Sequence, residues 1–525
     1  MPINEAVTNV FVFEGFIFCK SGYVIIYLSI GDQGGDKNME RNNTIMQFFE
    51  WHLEPDGSHW RRLKEMATEL QEKGISSIWI PPVTKASSPE NNGYAPYDLY
   101  DLGEFNQKGS TRTKYGTKQE LIEAIAACQD VGIKVFIDVV MNHKAGADET
   151  ELIKVIEVDQ EDRNEEISEP FKIEAWTKFT FPGRKGKYSS FEWGYEHFNG
   201  TDYDEKTEKS GIYKILGDNK GWSKHVDDEN GNYDYLMLAD IDYEHPEVKK
   251  EMIAWGKWLI DTLNCDGYRL DAIKHINHHF IREFAEEMRK HRGDDFYFVG
   301  EVWKSHLHAC QKYLDHVDYQ IDLFDVPLHY KLYEASKEGS DFDLTSIFDN
   351  TLVNAHPKNA VTFVDNHDTQ PQESLESWVE DWFKPSAYAL ILLRKDGNPC
   401  LFYGDYYGIS GPEPEEGKKE ILDCLLYARY DKAYGEQHDY FDDPNTIGWV
   451  RLGVKEHKHS GCAVVISNGE DGEKRMYVGE RKAGQTWVDL TNSRDDQITI
   501  EENGYATFPV NGGSVSVWAC HHSKE

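Results

Sequence analysis

The stretch Gly267-Tyr268-Arg269-Leu270-Asp271-Ala272-Ile273-Lys274-His275 decides how the chain is read. Residues 265–270 form a short apolar run that ends abruptly in charge, as a buried strand opening into a loop would. Side chains alternate along a strand, so Arg269 and Asp271 share one side. A cation in that place keeps the neighbouring carboxylate ionised and aims it. Lys274 and His275 follow where the strand becomes a loop. Alone, the stretch fits a surface salt bridge equally well. The choice turns on what other strand ends carry.

Working outward, residues 44–49, 75–80, 133–140, 296–299, 319–323, 360–364 and 400–403 read as further apolar strands. Helical spacing lies between them. Leu63, Met66, Ala67 and Leu70 mark a helix over 60–72 that Gly74 stops. Thr117 is an N-cap and Gly132 a C-cap for 117–131. Residues 248–263, 279–290 and 384–394 also read as helices. Continuous apolar strands are buried on both faces, which indicates a parallel sheet. About eight of them, with charge at their C-terminal ends, predict an α/β fold of the (β/α)8 barrel type. A doubly wound sheet is the alternative, but it seldom gathers side chains from so many strand ends.

The rhythm breaks twice. Residues 144–243 are polar and Gly-rich, which predicts an inserted irregular β domain after strand 3. After about 435, short alternating segments separated by Gly, Asn and Asp predict a C-terminal antiparallel β domain. The expected division is barrel over 39–141 and 246–435, insert over 142–245, and β-sandwich over 436–525. Residues 1–38 are expected to be a non-core extension whose deletion leaves activity intact. Glu14, Lys20 and glycines interrupt their apolar runs, which fall short of the ~20 residues of a membrane helix and lack a basic start.

The formal charge is 56 − 93 = −37. That excludes nucleic acid and anionic membrane as natural partners. The 14 Trp and 29 Tyr offer flat rings with polar rims, which suit sugar faces, although most aromatics are core. The eight cysteines are scattered, with no CxxC pair, and suggest neither a disulfide framework nor a zinc site. A cytoplasmic monomer is expected; secretion is the alternative if the N-terminal apolar stretch is an atypical signal.

Four strand ends carry ionisable clusters: Asp138 with Asn142-His143, Arg269 with Asp271 and Lys274-His275, Glu301, and His367-Asp368. In a closed barrel these converge on one pocket. The segments Asp138-Val-Val-Met-Asn-His143, Gly267 to His275, Glu301-Val-Trp303 and Phe363-Val-Asp-Asn-His-Asp368 resemble the four signature regions of the α-amylase family of retaining glycoside hydrolases. A fifth, Leu238-Ala-Asp-Ile-Asp242, lies where that family places it. The likeness runs from about Thr44 to Trp518 and is nearest to bacterial liquefying-type and cytoplasmic α-amylases.

The resemblance implies endo-acting hydrolysis of α-1,4-glucans. Asp271 is then the nucleophile, Glu301 the general acid/base, and Asp368 the carboxylate that grips sugar hydroxyls and steadies the transition state. His143 and His367 would bond hydroxyls of the reacting sugar. Tyr97 would be a stacking platform, with Trp51, Arg269, Lys274 and Trp303 at subsites. Trp51 and Trp303 also fit plain barrel packing. The chemistry agrees with the residues, since retention needs a carboxylate nucleophile and a nearby carboxylic acid.

The resemblance also implies one structural Ca2+, held by Asn142, Asp234, Asp240 and the backbone carbonyl of His275. All are oxygen donors, as calcium requires. Asn199 and Ser223 stand where liquefying enzymes carry Asp ligands, so further calcium or sodium ions are not expected. Two other classes compete: a transglycosylase or exo-acting α-glucosidase, and a catalytically dead sugar-binding protein. The second would typically lack a carboxylate, and none of the three is missing.

Overall fold

The computed structural model describes residues 11–13, 16–18 and 41–520. The expectation for residues 1–38 falls outside the described residues, apart from a two-stranded antiparallel pairing of Phe11–Phe13 with Phe16–Phe18. Eight parallel strands close into a barrel in sequence order. They are Ile45–Gln47, Ser77–Ile80, Lys134–Val139, Gly267–Leu270, Tyr297–Gly300, Asp322–Phe324, Ala360–Phe363 and Asn398–Phe402, the last pairing with the first. Residues such as Ile78, Ile137, Leu270 and Val361 have no measurable exposure, as strands covered on both faces demand. The sixth strand starts later than its apolar run suggests. Asp318 and Tyr319 both adopt φ = 53°, which no strand tolerates.

The helices form where their end signals lie. In Lys118–Asp130, Thr117 and Glu120 make a reciprocal capping box. Pro246 opens Pro246–Leu263, and Asn264 closes it at φ = 52°. Leu121, Ala124, Ile125 and Cys128 turn the first of these helices inward.

Between the third and fourth barrel strands lies a six-stranded antiparallel sheet. It is more regular than the sequence suggests, with a ten-residue strand, Glu149–Val158, flanked by Phe171–Lys178 and Lys209–Ile215. Its inner residues Ile153, Val155, Ile173 and Phe198 join the barrel's own hydrophobic core. After the barrel, strands Gln437–Tyr440 to Ser514–Cys520 build a second six-stranded sheet, and Gly472–Tyr477 pairs with Tyr505–Val510. These enclose a separate cluster around Trp487, Phe508 and Trp518. Among the described residues, no helix is long and apolar enough to cross a membrane.

Candidate active site

Arg269 sits at the centre of the barrel's C-terminal face. On the fourth strand it pairs in register with Asp138 of the third and Val299 of the fifth. Side chains in register on adjacent parallel strands point the same way, so Asp138 lies beside Arg269. Arg269 Nη1 donates to Asp138 Oδ1 at 2.9 Å and to Asp271 Oδ1 at 2.6 Å. Nη2 donates to Glu301 Oε2 at 2.7 Å. One guanidinium therefore serves three carboxylates, a task its planar fork of donors suits. Asp138 also accepts from Trp79 Nε1 at 3.0 Å and from Tyr94 Oη at 2.7 Å.

The backbone is bent to bring Asp271 and Glu301 together. Ala272 adopts φ = 50°, a left-handed conformation that costs a non-glycine residue about 1–2 kcal/mol. The bend aims the Ala272 N–H at Glu301 Oε2, 3.1 Å away. Gly300 lets the two strand ends meet, because a Cβ there would fall 2.2 Å from Ile273 Cδ1.

The electrostatics follow from depth. Burial pushes Asp271 up to about 6, against the pull of Arg269. Burial also raises Glu301; Arg269 opposes this and the Asp271 charge adds to it. Asp271 and Glu301 share the Arg269 guanidinium and act on each other's charge, so they titrate as one system. Asp368, half-buried beside His367, is raised well above its ordinary value, by desolvation first and then by the Glu301 charge.

His367 lies 3.4 Å from Asp368 without bonding it. Burial keeps the imidazole neutral. Its Nδ1 is hydrogen-bonded to the Gln47 side-chain amide at 3.1 Å. The ring's Nε2 is buried and makes no hydrogen bond among the described residues. His143 differs, since its Nε2 donates to the Tyr94 carbonyl at 2.8 Å and its Nδ1 lies 3.3 Å from Asn142 Nδ2. It meets a sugar only by giving up one of these bonds.

One expected residue is misplaced. Tyr97 is 1% exposed; its ring packs on Phe181 and its hydroxyl is held by Asp148 at 2.7 Å. It cannot serve as a stacking platform. Tyr94, three residues earlier in the same aromatic loop, stands in the pocket. Its ring lies parallel to Trp51 (5.7 Å, 10°) and to His367 (5.0 Å, 14°). The period-2 alternation of a short strand, Pro96–Asp98, turns Tyr97 inward. Lys274 and Trp303 lie together on the flank: Lys274 Nζ donates to the Trp303 carbonyl at 3.3 Å and to Glu229 Oε2 at 3.1 Å.

A second, oxygen-rich cluster lies where the insert meets the barrel. Asp240 pairs across the sheet with His143 and Gly200, and the Ile241 N–H donates to the Asn142 carbonyl at 3.0 Å. Asp234 Oδ2 accepts from Asn199 Nδ2 and from the Ser223 N–H, both at 2.8 Å. Asp240 Oδ2 and Asn199 Oδ1 are buried with no hydrogen-bond partner among the described residues. Burial pushes Asp234 up to about 7, with the Asp242 and Glu244 charges adding to it. Burial raises Asp240 well above its ordinary value, with the Asp234 and Asp242 charges adding. Orphaned oxygen acceptors beside paired carboxylates are what a hard cation satisfies, so the donor set fits Ca2+. His275 Nδ1 donates to the Tyr233 carbonyl at 2.7 Å, which ties the catalytic strand to this region.

Residues 63–440 match the family profile described as "Alpha amylase, catalytic domain". The chain is 51% identical over 512 residues to the glucan 1,4-alpha-maltohexaosidase of Bacillus sp. (strain 707), covering 96% of this chain and 98% of that one. It is 45% identical over 490 residues to the cytoplasmic alpha-amylase of Escherichia coli (strain K12), covering 91% and 99%. A crystal structure of an alpha-amylase from Geobacillus thermoleovorans, complexed with acarbose, shares the fold with a TM-score of 0.60 at 18% identity, covering 92% of this chain and 99% of that one. With the barrel and its carboxylate cluster in place, the chain belongs to the alpha-amylase family of glycoside hydrolases.

Proposed function

We propose that the protein hydrolyses internal α-1,4 bonds of starch, glycogen and maltooligosaccharides by a retaining double displacement. The observation that carries this is the single Arg269 guanidinium bridging Asp271 and Glu301 at 2.6 and 2.7 Å. One guanidinium on both carboxyls keeps them beside each other at adjacent strand ends, which supports a reaction in which one attacks and the other protonates, as retention requires. Asp271 attacks the anomeric carbon while Glu301 gives its proton to the departing oxygen. Glu301 then takes a proton from the water that releases the sugar. Asp368 and the unpartnered His367 Nε2 bind hydroxyls of the reacting sugar. Trp51 and Tyr94 stack on its ring, and Lys274 and Trp303 extend the site on the flank where Glu229 pairs with Lys274. Arg269 positions both reacting carboxylates, and His143 braces the loop that carries Tyr94.

Incubation with amylose tests the reading. Products are expected to be mixed short maltooligosaccharides, released as the α-anomer. Release of glucose or a single unit from chain ends from the first turnover, or β-anomeric product, refutes it. The acidic protein would act as a monomer on neutral glucan in the cytoplasm.

Asn142, Asp234, Asp240 and the carbonyl of His275 would hold one Ca2+, whose charge offsets the buried carboxylates and pins the insert to the barrel. Removal by chelator is expected to lower the apparent Tm, and excess Ca2+ to restore it. At 100 times Kd the ion contributes about 2.7 kcal/mol. A Tm indifferent to both chelator and added Ca2+ defeats the assignment.

A further inference from the structure

A cluster of imidazoles lies outside the pocket. His278 and His279 open the helix His278–Arg292. His225 reaches them from the connection between the inserted strands Lys209–Ile215 and Ala239–Ile241. The His225 ring centroid lies 4.3 Å from that of His279 and 5.4 Å from that of His278; His278 and His279 are 4.5 Å apart. One nitrogen from each ring falls within 4.8 Å of the other two. The backbone already joins the two halves, since the His278 N–H donates to the His225 carbonyl at 2.9 Å. His316, at the end of the helix Leu307–His316, stacks on His278 at 4.1 Å and 22° and sets its plane.

We propose that His225, His278 and His279 form a site for a borderline divalent transition metal ion such as Zn2+, distinct from the oxygen-lined calcium cluster, which clips the inserted segment to the barrel. Three neutral imidazoles are the donor set such ions prefer, and Ca2+ does not. A Zn–N bond of about 2.0–2.1 Å needs ligand nitrogens roughly 3.4 Å apart. His225 and His279 are exposed and free to turn inward by that small difference, while buried His278 provides the fixed point. Burial, with neighbouring imidazoles adding to it, pushes His278 down to about 4, so its lone pair is available at neutral pH. A fourth position stays open to water. The adjacent run Asp227-Asp228-Glu229 raises the local concentration of cations. This same segment holds Lys274 and Lys304 through Glu229, so occupancy would stiffen the flank of the pocket.

The test uses the full chain with Ca2+ saturating, so that the oxygen site is filled. Zn2+ is titrated by calorimetry, and Co2+ is added separately to read its ligand-field absorption. Expected are one Zn2+ per chain, a raised Tm and a Co2+ spectrum of nitrogen ligation. His225→Ala and His279→Ala, both at exposed positions outside the catalytic machinery, should each weaken binding at least tenfold, about 1.4 kcal/mol. Absence of saturable Zn2+ binding in the unaltered protein overturns the proposal. So does a doubly substituted His225→Ala/His279→Ala protein that binds Zn2+ as the unaltered one does.

Discussion

Glu301→Gln is expected to lower kcat on starch by about 10²–10⁴-fold while leaving the apparent Tm nearly unchanged. The amide keeps one oxygen to accept from Arg269 Nη2 and the Ala272 N–H, which now meet Glu301 Oε2 at 2.7 and 3.1 Å. What it loses is the transferable proton. The loss should be selective by step. A substrate whose leaving group departs without protonation should still form the glycosyl-enzyme and give a burst of leaving group. Turnover then stalls, because no base activates water. The pH profile adds a sign. In the unaltered enzyme, Glu301 must be protonated and burial raises its pKa, so activity falls as pH rises through that raised value. Asp271 must be ionised, so activity also falls as pH drops through about 6. The variant should keep the acid limb and lose the alkaline one. Near-normal turnover, or an alkaline limb that survives, removes Glu301 from the role of acid.

Arg269→Met is expected to be the most damaging single change to stability. Arg269 is 1% exposed and is the cation bonded to Asp138, Asp271 and Glu301. Taking one partner from a buried ion cluster costs about 3–5 kcal/mol, because the remaining charges are left desolvated and uncompensated. Some of that cost is relieved as the carboxylates take up protons, which would also abolish the nucleophile. Arg269→Lys should separate the two effects. It returns the charge and part of the stability, yet a single ammonium cannot reach three carboxylates in the guanidinium's geometry. Activity should therefore stay low. Thermal melts of both variants, with turnover measured alongside, decide the matter; Arg269→Met melting like the parent would show that the cluster is stable without its cation.

The strand ends were legible because each joins a local pattern to a local composition. An apolar run of strand length closed by Arg269 and Asp271, by Glu301, or by His367 and Asp368 is visible in one dimension. Helix ends such as Thr117 with Glu120 are equally local, since both partners of the cap lie within one turn. Tyr94 and Tyr97 show where that legibility stops. They share one loop and one chemistry, and the residue that enters the pocket is set by the short strand Pro96–Asp98 pairing with Lys85–Ala86. Asp138 stands in the segment Asp138 to His143, but its function as anchor for Arg269 depends on the register that sets it opposite that residue. Trp79 and Gln47 gave no signal at all: each reads as an ordinary strand residue until the closed barrel aims it at Asp138 or His367.

The amino-acid order by itself thus determined the eight-strand rhythm, the two interruptions and the carboxylates at the strand ends, because burial and alternation act between near neighbours. Only the tertiary structure decided which side chains share a partner. Arg269 meets Asp138 across 131 positions, and His225 meets His278 across more than fifty. Such contacts depend on the closing of the barrel and the folding back of the insert, and no local spacing encodes them. The stretch from Gly267 to His275 belongs to both levels: its charges mark a strand end, and the closed barrel makes one of them, Arg269, the common partner of three carboxylates.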